Sequence, residues 1–570
     1  MELCYNVRES NGAVRERTPG KARERNDALR DKVTYMSKQL KKSLVLQGSI
    51  LAAAGLISKI IGFIYRVPMA NIMGNTGNGL YSVSFGIYNI ALTLSSYSMP
   101  LAVSRLMSAR LARKEYRNAH RLFIAALVFA SVTGLTAALV LFFGADLLAV
   151  LYQKEGLQRP LRILAPTTFT VAILGTCRGY YQGHRNMVPT AVSQVIEQIV
   201  NAIVSVVAAG QFAALCTQEG QKASYGAMGG TLGTFAGALS ALFLFLILFV
   251  IDRNGRQEEI KRDAGLTPEE NKLLYKAILF TVLPVILSQS IYQLGYTLDD
   301  LIFSHIMTLK GWDEVRTTDI QGIFHTQYNQ LVNLPTAVAT SMAAASMPSI
   351  VGSYTRKENA AVRHKIDVVL KTNMIIAFPS AVGLAVLADP IMGVLFPGLK
   401  EYHSVASGLL LTGSAAVLFY ALSTLSTSIL QSCDRMRVPV VHAGISLGVH
   451  VLLLALLLYG TDLGEYALII GNVTFPMLVC ILNCRYISRM LNYQFDWKNS
   501  FIKPAAAAVI MGGITALIYS VIYRIGKNML LSMLAAIAAA VAVYLLLLYL
   551  LRAFTKEELK TMPIVKRWIK

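Results

Sequence analysis

Met99-Pro100-Leu101-Ala102-Val103, followed by Arg113-Lys114-Glu115, returns about 240 residues later as Leu334-Pro335-Thr336-Ala337-Val338, followed by Arg356-Lys357-Glu358. A second pair follows the first. Gln182-Gly183-His184-Arg185-Asn186-Met187-Val188-Pro189 is echoed by Gln431-Ser432-Cys433-Asp434-Arg435-Met436-Arg437-Val438-Pro439. The repeated segments lie among long apolar runs. Repeated halves in a bilayer imply two helical bundles that rock about a central site.

The chain has 570 residues, of which 54% are hydrophobic and 15% charged. Soluble domains average about 25% charged residues. Each apolar run is long enough to cross a hydrocarbon layer of roughly 30 Å as a helix. The runs predict an all-α integral membrane protein of fourteen transmembrane helices: 44–69, 79–106, 121–151, 160–182, 187–210, 225–251, 275–308, 321–353, 367–392, 404–430, 437–459, 463–487, 501–523 and 528–552. The span 321–353 is the most polar. The repeat divides these into two pseudo-symmetric six-helix lobes, 44–251 and 275–487, joined by a cytoplasmic linker at 252–274. A C-terminal helix pair, 501–552, follows outside both lobes. Residues 1–43 and 553–570 read as cytoplasmic tails.

The net charge of +21 raises the possibility of nucleic-acid binding, but its distribution argues against it. Basic residues gather between alternate spans: Arg105 to Arg121, Arg178 and Arg185, Arg253 to Arg262, Arg356 to Lys365, Arg435 and Arg437, and Arg485 to Lys498. Loops that retain positive charge stay on the cytoplasmic side, so both termini are expected inside. The same residues would meet anionic lipid head groups.

Six cysteines are scattered, and only Cys480 and Cys484 are near in sequence. No zinc spacing or disulfide framework is present, and no cofactor or metal site is expected. The first 35 residues are charged and lack the apolar core of a signal peptide, so a disordered basic tail is expected. Met36 offers an alternative start. GxxxxGK[ST] and HExxH are absent from the sequence. The external loops are short, and no catalytic domain is expected.

Ionisable groups within a span are costly unless they face a cavity or a partner. Lys59 and Arg66 lie in the first span, where a cavity role competes with snorkelling to the surface. Asp299 and Asp300 lie in its repeat partner, the seventh. Aligning Asn71-Ile72-Met73 with His305-Ile306-Met307 sets Arg66 opposite Asp300. That pairing reads as an inter-lobe gate, as a site coupling transport to a proton or cation, or as a fixed structural pair. Gln194, Glu197, Gln198 and Asn201 share one face of the fifth span; Asn329, Asn333, Thr336 and Thr340 share one face of the eighth. Tyr81, Ser84 and Tyr88 do so on the second. Polar stripes in both halves predict a hydrated cavity suited to a sugar or a phosphate-bearing head group. Arg105 and Arg178, near cytoplasmic ends, either snorkel or capture a pyrophosphate at the inner mouth.

Ser58-Lys59-Ile60-Ile61-Gly62-Phe63-Ile64-Tyr65-Arg66-Val67-Pro68 resembles the first-helix signature of the polysaccharide-export branch of the multidrug/oligosaccharidyl-lipid/polysaccharide (MOP) flippase superfamily. Pro100-Leu101-Ala102-Val103-Ser104-Arg105 resembles the end of its second helix. The segment from Arg178 to Gln198 resembles its fourth-to-fifth helix region. The likeness runs from about residue 44 to 552 and is strongest to the lipid II flippases and the stage V sporulation B group. It implies a V-shaped transporter in a bacterial plasma membrane. It also implies alternating access that carries an undecaprenyl-diphosphate-linked sugar from the inner to the outer leaflet. Lys59 matches a cavity position that is usually arginine, and Arg66 lies one residue from a second. Substrate contacts are therefore expected at Lys59, Arg66, Arg105, Arg178, Glu197 and Asn333, with Asp299 and Asp300 as coupling or gate residues. A monomer is expected.

Overall fold

The computed structural model describes residues 19–263 and 267–551. Among them every regular element is helical. The N-terminal half contains α1 (Pro19–Ser95), α2 (Met99–Ala112), α3 (Tyr116–Phe143), α4 (Ala145–Leu151), α5 (Gln158–Gly183), α6 (Val188–Leu215) and α7 (Lys222–Ile251). A short α8 (Arg253–Lys261) leads into α9 (Asn271–Leu309). The C-terminal half continues with α10 (Glu314–Gly322), α11 (Asn329–Thr355), α12 (Asn359–Val386), α13 (Ala388–Leu395), α14 (His403–Gly413), α15 (Ala416–Ser432), α16 (Arg437–Gly460) and α17 (Glu465–Leu491). Last come α18 (Lys503–Gly526) and α19 (Met529–Leu550).

The sequence repeat is also a backbone repeat. Lys114 and Lys357 adopt left-handed φ values of 61° and 60°. Arg185 and Asp434 do the same at 61° and 58°. Side chains with a Cβ seldom enter this region except to turn the chain out of a helix. Each half therefore leaves its helices at equivalent points with the same backbone turn.

Among the described residues, ten helical stretches are long and apolar enough to cross a bilayer, or eleven if the bent pair Pro397–Gly413 and Ala416–Ser432 is one span. This is fewer than the fourteen expected. The first two expected spans merge into one stretch, Ala53–Ala112. Helices α9 and α11, which hold the expected seventh and eighth spans, are not among the ten. Residues 19–43, read as disordered tail, continue α1 as helix; their Ala, Arg, Lys and Leu are strong helix formers. Residues 1–18 of the expected N-terminal tail and the whole expected tail 553–570 lie outside the described residues.

Within α1 the helix breaks at Gly74, whose φ of 68° and ψ of −179° suit only glycine. Asn78 Nδ2 donates to Ala70 O at 2.8 Å across the break. The chain thus turns at Gly74, and Leu80, Tyr81, Ile87 and Tyr88 beyond it share one core with Tyr65, Met69 and Met73 before it.

Each half has its own apolar core. Leu122, Ala126, Leu174 and Phe245 anchor one in the N-terminal half, and Tyr328, Phe396, Leu410 and Leu454 anchor one in the C-terminal half. Helix α9 serves both. Its early residues Leu274, Ile278 and Val282 join the N-terminal core, whereas Phe303 and Met307 join the C-terminal one. Helices α18 and α19 pack together, and α18 packs against α12.

Candidate functional site

A cavity of about 540 Å³ lies between the halves. From α1 it is lined by Lys59, Gly62, Phe63 and Arg66. Offsets of three, four and seven residues put these on one helical face. Gln330, Asn333, Ala337 and Thr340 come from the facing helix, and Gln198 from α6. A second chamber of about 330 Å³ shares Arg66, His325, Gln330 and Asn333 and adds Tyr81, Asn89, Gln293 and Asp300. Arg66 therefore borders both chambers.

The lining is polar and unevenly satisfied. Arg66 Nε and Gln330 Oε1 are buried with no hydrogen-bond partner. Gln330 Nε2 donates to Phe63 O at 3.2 Å, across the halves. Buried donors and acceptors left without partners are costly and belong where a ligand or water completes them. A cationic fork and an ammonium about two turns apart on one helical face, with amides and hydroxyls opposite, can hold phosphate oxygens and sugar hydroxyls together.

His325 lies in a π-helical segment, Ile323–Tyr328, between α10 and α11. Such segments widen a helix by one residue and recur at functional sites. Its Nε2 lies 2.7 Å from Asp300 Oδ1. Gln321 Nε2 donates to the Asp300 carbonyl oxygen at 2.8 Å. Asp300 thus takes His325 as its ion partner. No Arg66–Asp300 bridge occurs among the described residues, although both border the smaller chamber. Asp299 points the other way, to His450 Nε2 at 2.6 Å. That pair faces a small pocket with Tyr420, Gly471 and Asn472.

The remaining sequence-selected residues lie elsewhere. Arg178 and Glu197 satisfy each other, Nη2 to Oε2 at 2.6 Å, and Arg178 Nε donates to Ser193 Oγ at 3.1 Å. Neither lines either chamber. Arg105 is exposed on α2. Of the stripe residues, Gln198, Asn333, Thr336 and Thr340 reach the larger chamber, and Tyr81, Asn329 and Asn333 the smaller. Asn201 Nδ2 instead donates to Tyr65 Oη at 3.1 Å. Sequence reading missed His325, Gln330 and Tyr420. A lone histidine in a polar helix carries no periodic signal. Its spacing from Asn329, four residues on, was the available clue.

The halves meet directly at one end. Thr76 Oγ1 donates to Asp319 Oδ1 at 2.6 Å, and Thr308 Oγ1 donates to Gln153 Oε1 at 2.9 Å. Asn71 Nδ2 donates to Leu395 O at 2.8 Å. Gly79 is pressed so close that a Cβ there would lie 2.1 Å from Thr318 O. The basic loop residues of the sequence repeat lie at the opposite helix ends.

Repeated helical halves, a cationic polar cavity between them and a seal at one end define a multi-pass membrane transporter rather than an enzyme. The chain belongs to the polysaccharide biosynthesis protein family, whose profile matches residues 44–354. It is similar to stage V sporulation protein B of Bacillus subtilis (strain 168), 26% identical over 534 residues, covering 93% of this chain and 99% of that protein. It is also similar to lipid II flippase MurJ of the same organism, 25% identical over 428 residues, covering 72% and 77%. Among solved structures it shares its fold with lipid II flippase MurJ in an inward closed conformation. The TM-score is 0.64 and the identity 16%, covering 87% of this chain and 97% of that one. An inward-facing multidrug resistance MATE family transporter of the MOP superfamily gives a TM-score of 0.63 at 15% identity, covering 76% and 94%.

Proposed function

We propose that this protein flips an undecaprenyl-diphosphate-linked cell-wall precursor, lipid II, from the inner to the outer leaflet of a bacterial plasma membrane. The observation that carries this reading is Arg66, set between two polar chambers with a buried Nε that lacks a partner. A diphospho-sugar cannot cross hydrocarbon because burying its charges unpaired is prohibitive. Lys59 and Arg66 would take the diphosphate, and Asn333, Gln198 and Thr340 the sugar hydroxyls. The polyprenyl tail would remain in lipid.

In this reading the protein is a monomer of fourteen spans, two lobes at 44–251 and 275–487, and a C-terminal pair. The fourteen count Ala53–Ala112 twice and admit α9 and the α10–α11 rod. With both termini cytoplasmic, the seal between Thr76 and Asp319 lies on the outer side. The central cavity is then held in its inward-facing phase. The Asp299–His450 and Asp300–His325 pairs are the groups to which a coupling proton or cation would bind.

Depletion of the protein, followed by identification of the undecaprenyl-linked intermediate on the cytoplasmic leaflet, tests the assignment. Accumulated lipid II is the expected result. Accumulation of another lipid-linked glycan would change the cargo. No accumulation, with loss of dye efflux, would replace the flippase with a cation-coupled antiporter.

A further inference from the structure

Lys154 lies in the turn between α4 and α5, outside the membrane-spanning helices. It is 2% exposed and among the largest fully buried side chains in the protein. Lysine is almost never buried so deeply unless its ammonium is paired. Its Nζ donates to Thr318 Oγ1 at 2.9 Å, from the N-terminal half into the C-terminal half. The carboxylates of Asp300, Glu314 and Asp319 surround it with negative potential. Its two neighbours also cross the seam. Gln153 accepts from Thr308, and the Glu155 N–H bonds the Glu314 carboxylate.

We propose that Lys154 is the latch of the seal. It enters an acidic receptacle formed by Asp300, Glu314 and Asp319 when this end closes, bonding Thr318 across the seam, and withdraws into water when this end opens. The inference rests on the transporter reading above, but its test needs no cargo.

The chemistry favours a latch over permanent glue. An apolar side chain in this position would seal the halves without loss of hydration. An ammonium gives up its hydration on entry, and the surrounding carboxylates offset that loss only in part. The closed state therefore bears a net cost for burying the charge, which the carboxylates reduce and which keeps the seal easy to open, while a wrong charge is strongly rejected. One wall of the receptacle also faces the transport cavity. Asp300 holds His325, which lines both chambers. A charged head group arriving at His325 would change the potential that Lys154 feels through the shared carboxylate.

The test uses full-length protein in membranes, with its native cysteines replaced and Gln153→Cys and Thr308→Cys introduced. Oxidative cross-linking of that pair reports the closed seal. Lys154→Glu should lower the cross-linked fraction about tenfold, and Asp319→Lys should also lower it, because each sets like charges together. The combined Lys154→Glu/Asp319→Lys variant should recover most of the cross-linking. Unchanged cross-linking in Lys154→Glu, or a double variant no better than the singles, would overturn the proposal. A measurement on the unaltered protein guards against variants that fail to insert. A membrane-impermeant amine reagent, read by mass spectrometry, should modify Lys154 about tenfold more slowly than the exposed Lys527, yet reach completion as the seal cycles. Equal rates, or no modification at all, would each refute a latch. If the cross-linking results hold while depletion accumulates no lipid intermediate, the cargo assignment fails and the latch stands.

Discussion

His450 Nε2 and Asp299 Oδ1 lie 2.6 Å apart inside the C-terminal half, and the other ring nitrogen of His450 is buried without a partner. The adjacent residue, Asp300, makes the matching pair with His325 on the cavity side. Two consecutive carboxylates on α9 thus hold histidines on two different faces of one helix. One pair touches the transport cavity and the other an internal pocket.

Removing one member of the internal pair should destabilise the protein. His450→Ala leaves the Asp299 carboxylate buried and unpaired, at a cost on the order of 3 kcal/mol. The combined Asp299→Asn/His450→Ala variant should lose less than the sum of the two single changes. Thermal melts of purified protein in detergent check this. Strict additivity would mean that the two side chains do not act as a pair.

Charge at Lys59 and Arg66 should matter more than shape at Lys59. Lys59→Ala and Arg66→Ala should each reduce flipping by about tenfold or more, since each removes a charge-assisted bond to phosphate. Lys59→Arg should retain activity, because the guanidinium keeps the charge and fits phosphate oxygens in a fork. Accumulated lipid intermediate and membrane protein level would be measured together. Normal flipping by Lys59→Ala/Arg66→Ala would remove these residues from the site.

Gly79→Ala should hold the outer end ajar. Its new methyl group would meet the Thr318 backbone carbonyl at 2.1 Å, and a backbone atom cannot rotate away. Overpacking of this kind costs about 1–3 kcal/mol, but only in the closed state. Cross-linking of Gln153→Cys to Thr308→Cys should fall while the melting temperature changes little. Retained cross-linking would show that the halves yield at this contact.

The seal should tighten at alkaline pH. Burial pushes the Lys154 amine down to about 8, against the attraction of Asp300, Glu314 and Asp319. Once opened to water the amine returns to the ordinary lysine range near ~10.4. The closed state then binds fewer protons than the open state between those limits. It gains stability as pH rises through that window, and below the window this group's cost to the closed state is full and constant. Facing groups are Asp300 from α9 and Glu314 and Asp319 from α10, with Glu401 and Tyr402 behind Asp319 and Tyr152 beside Asp300. Lys154→Met removes the titration while keeping a long side chain. The rise in cross-linking from about pH 8 to ~10 should exceed that of Lys154→Met. Equal profiles would separate the seal from this amine.

What the sequence determined by itself was the class and the repeat. Apolar runs long enough to cross hydrocarbon, and paired motifs such as Arg113-Lys114-Glu115 and Arg356-Lys357-Glu358, are local patterns, and the matched left-handed residues Lys114 and Lys357 preserve them in the backbone. The cost of charge in lipid singled out Lys59, Arg66, Asp299 and Asp300, and that cost depends on one residue and its span. Partnership does not. Arg178 closes on Glu197, Asp300 takes His325 in place of Arg66, and Lys154 leaves a short loop to become one of the most buried residues in the protein. Each outcome depends on which helices meet and in what register. Only the packing of the two halves decides that, because a side chain pairs with what lies within about 3 Å of it in space, whatever its distance along the chain.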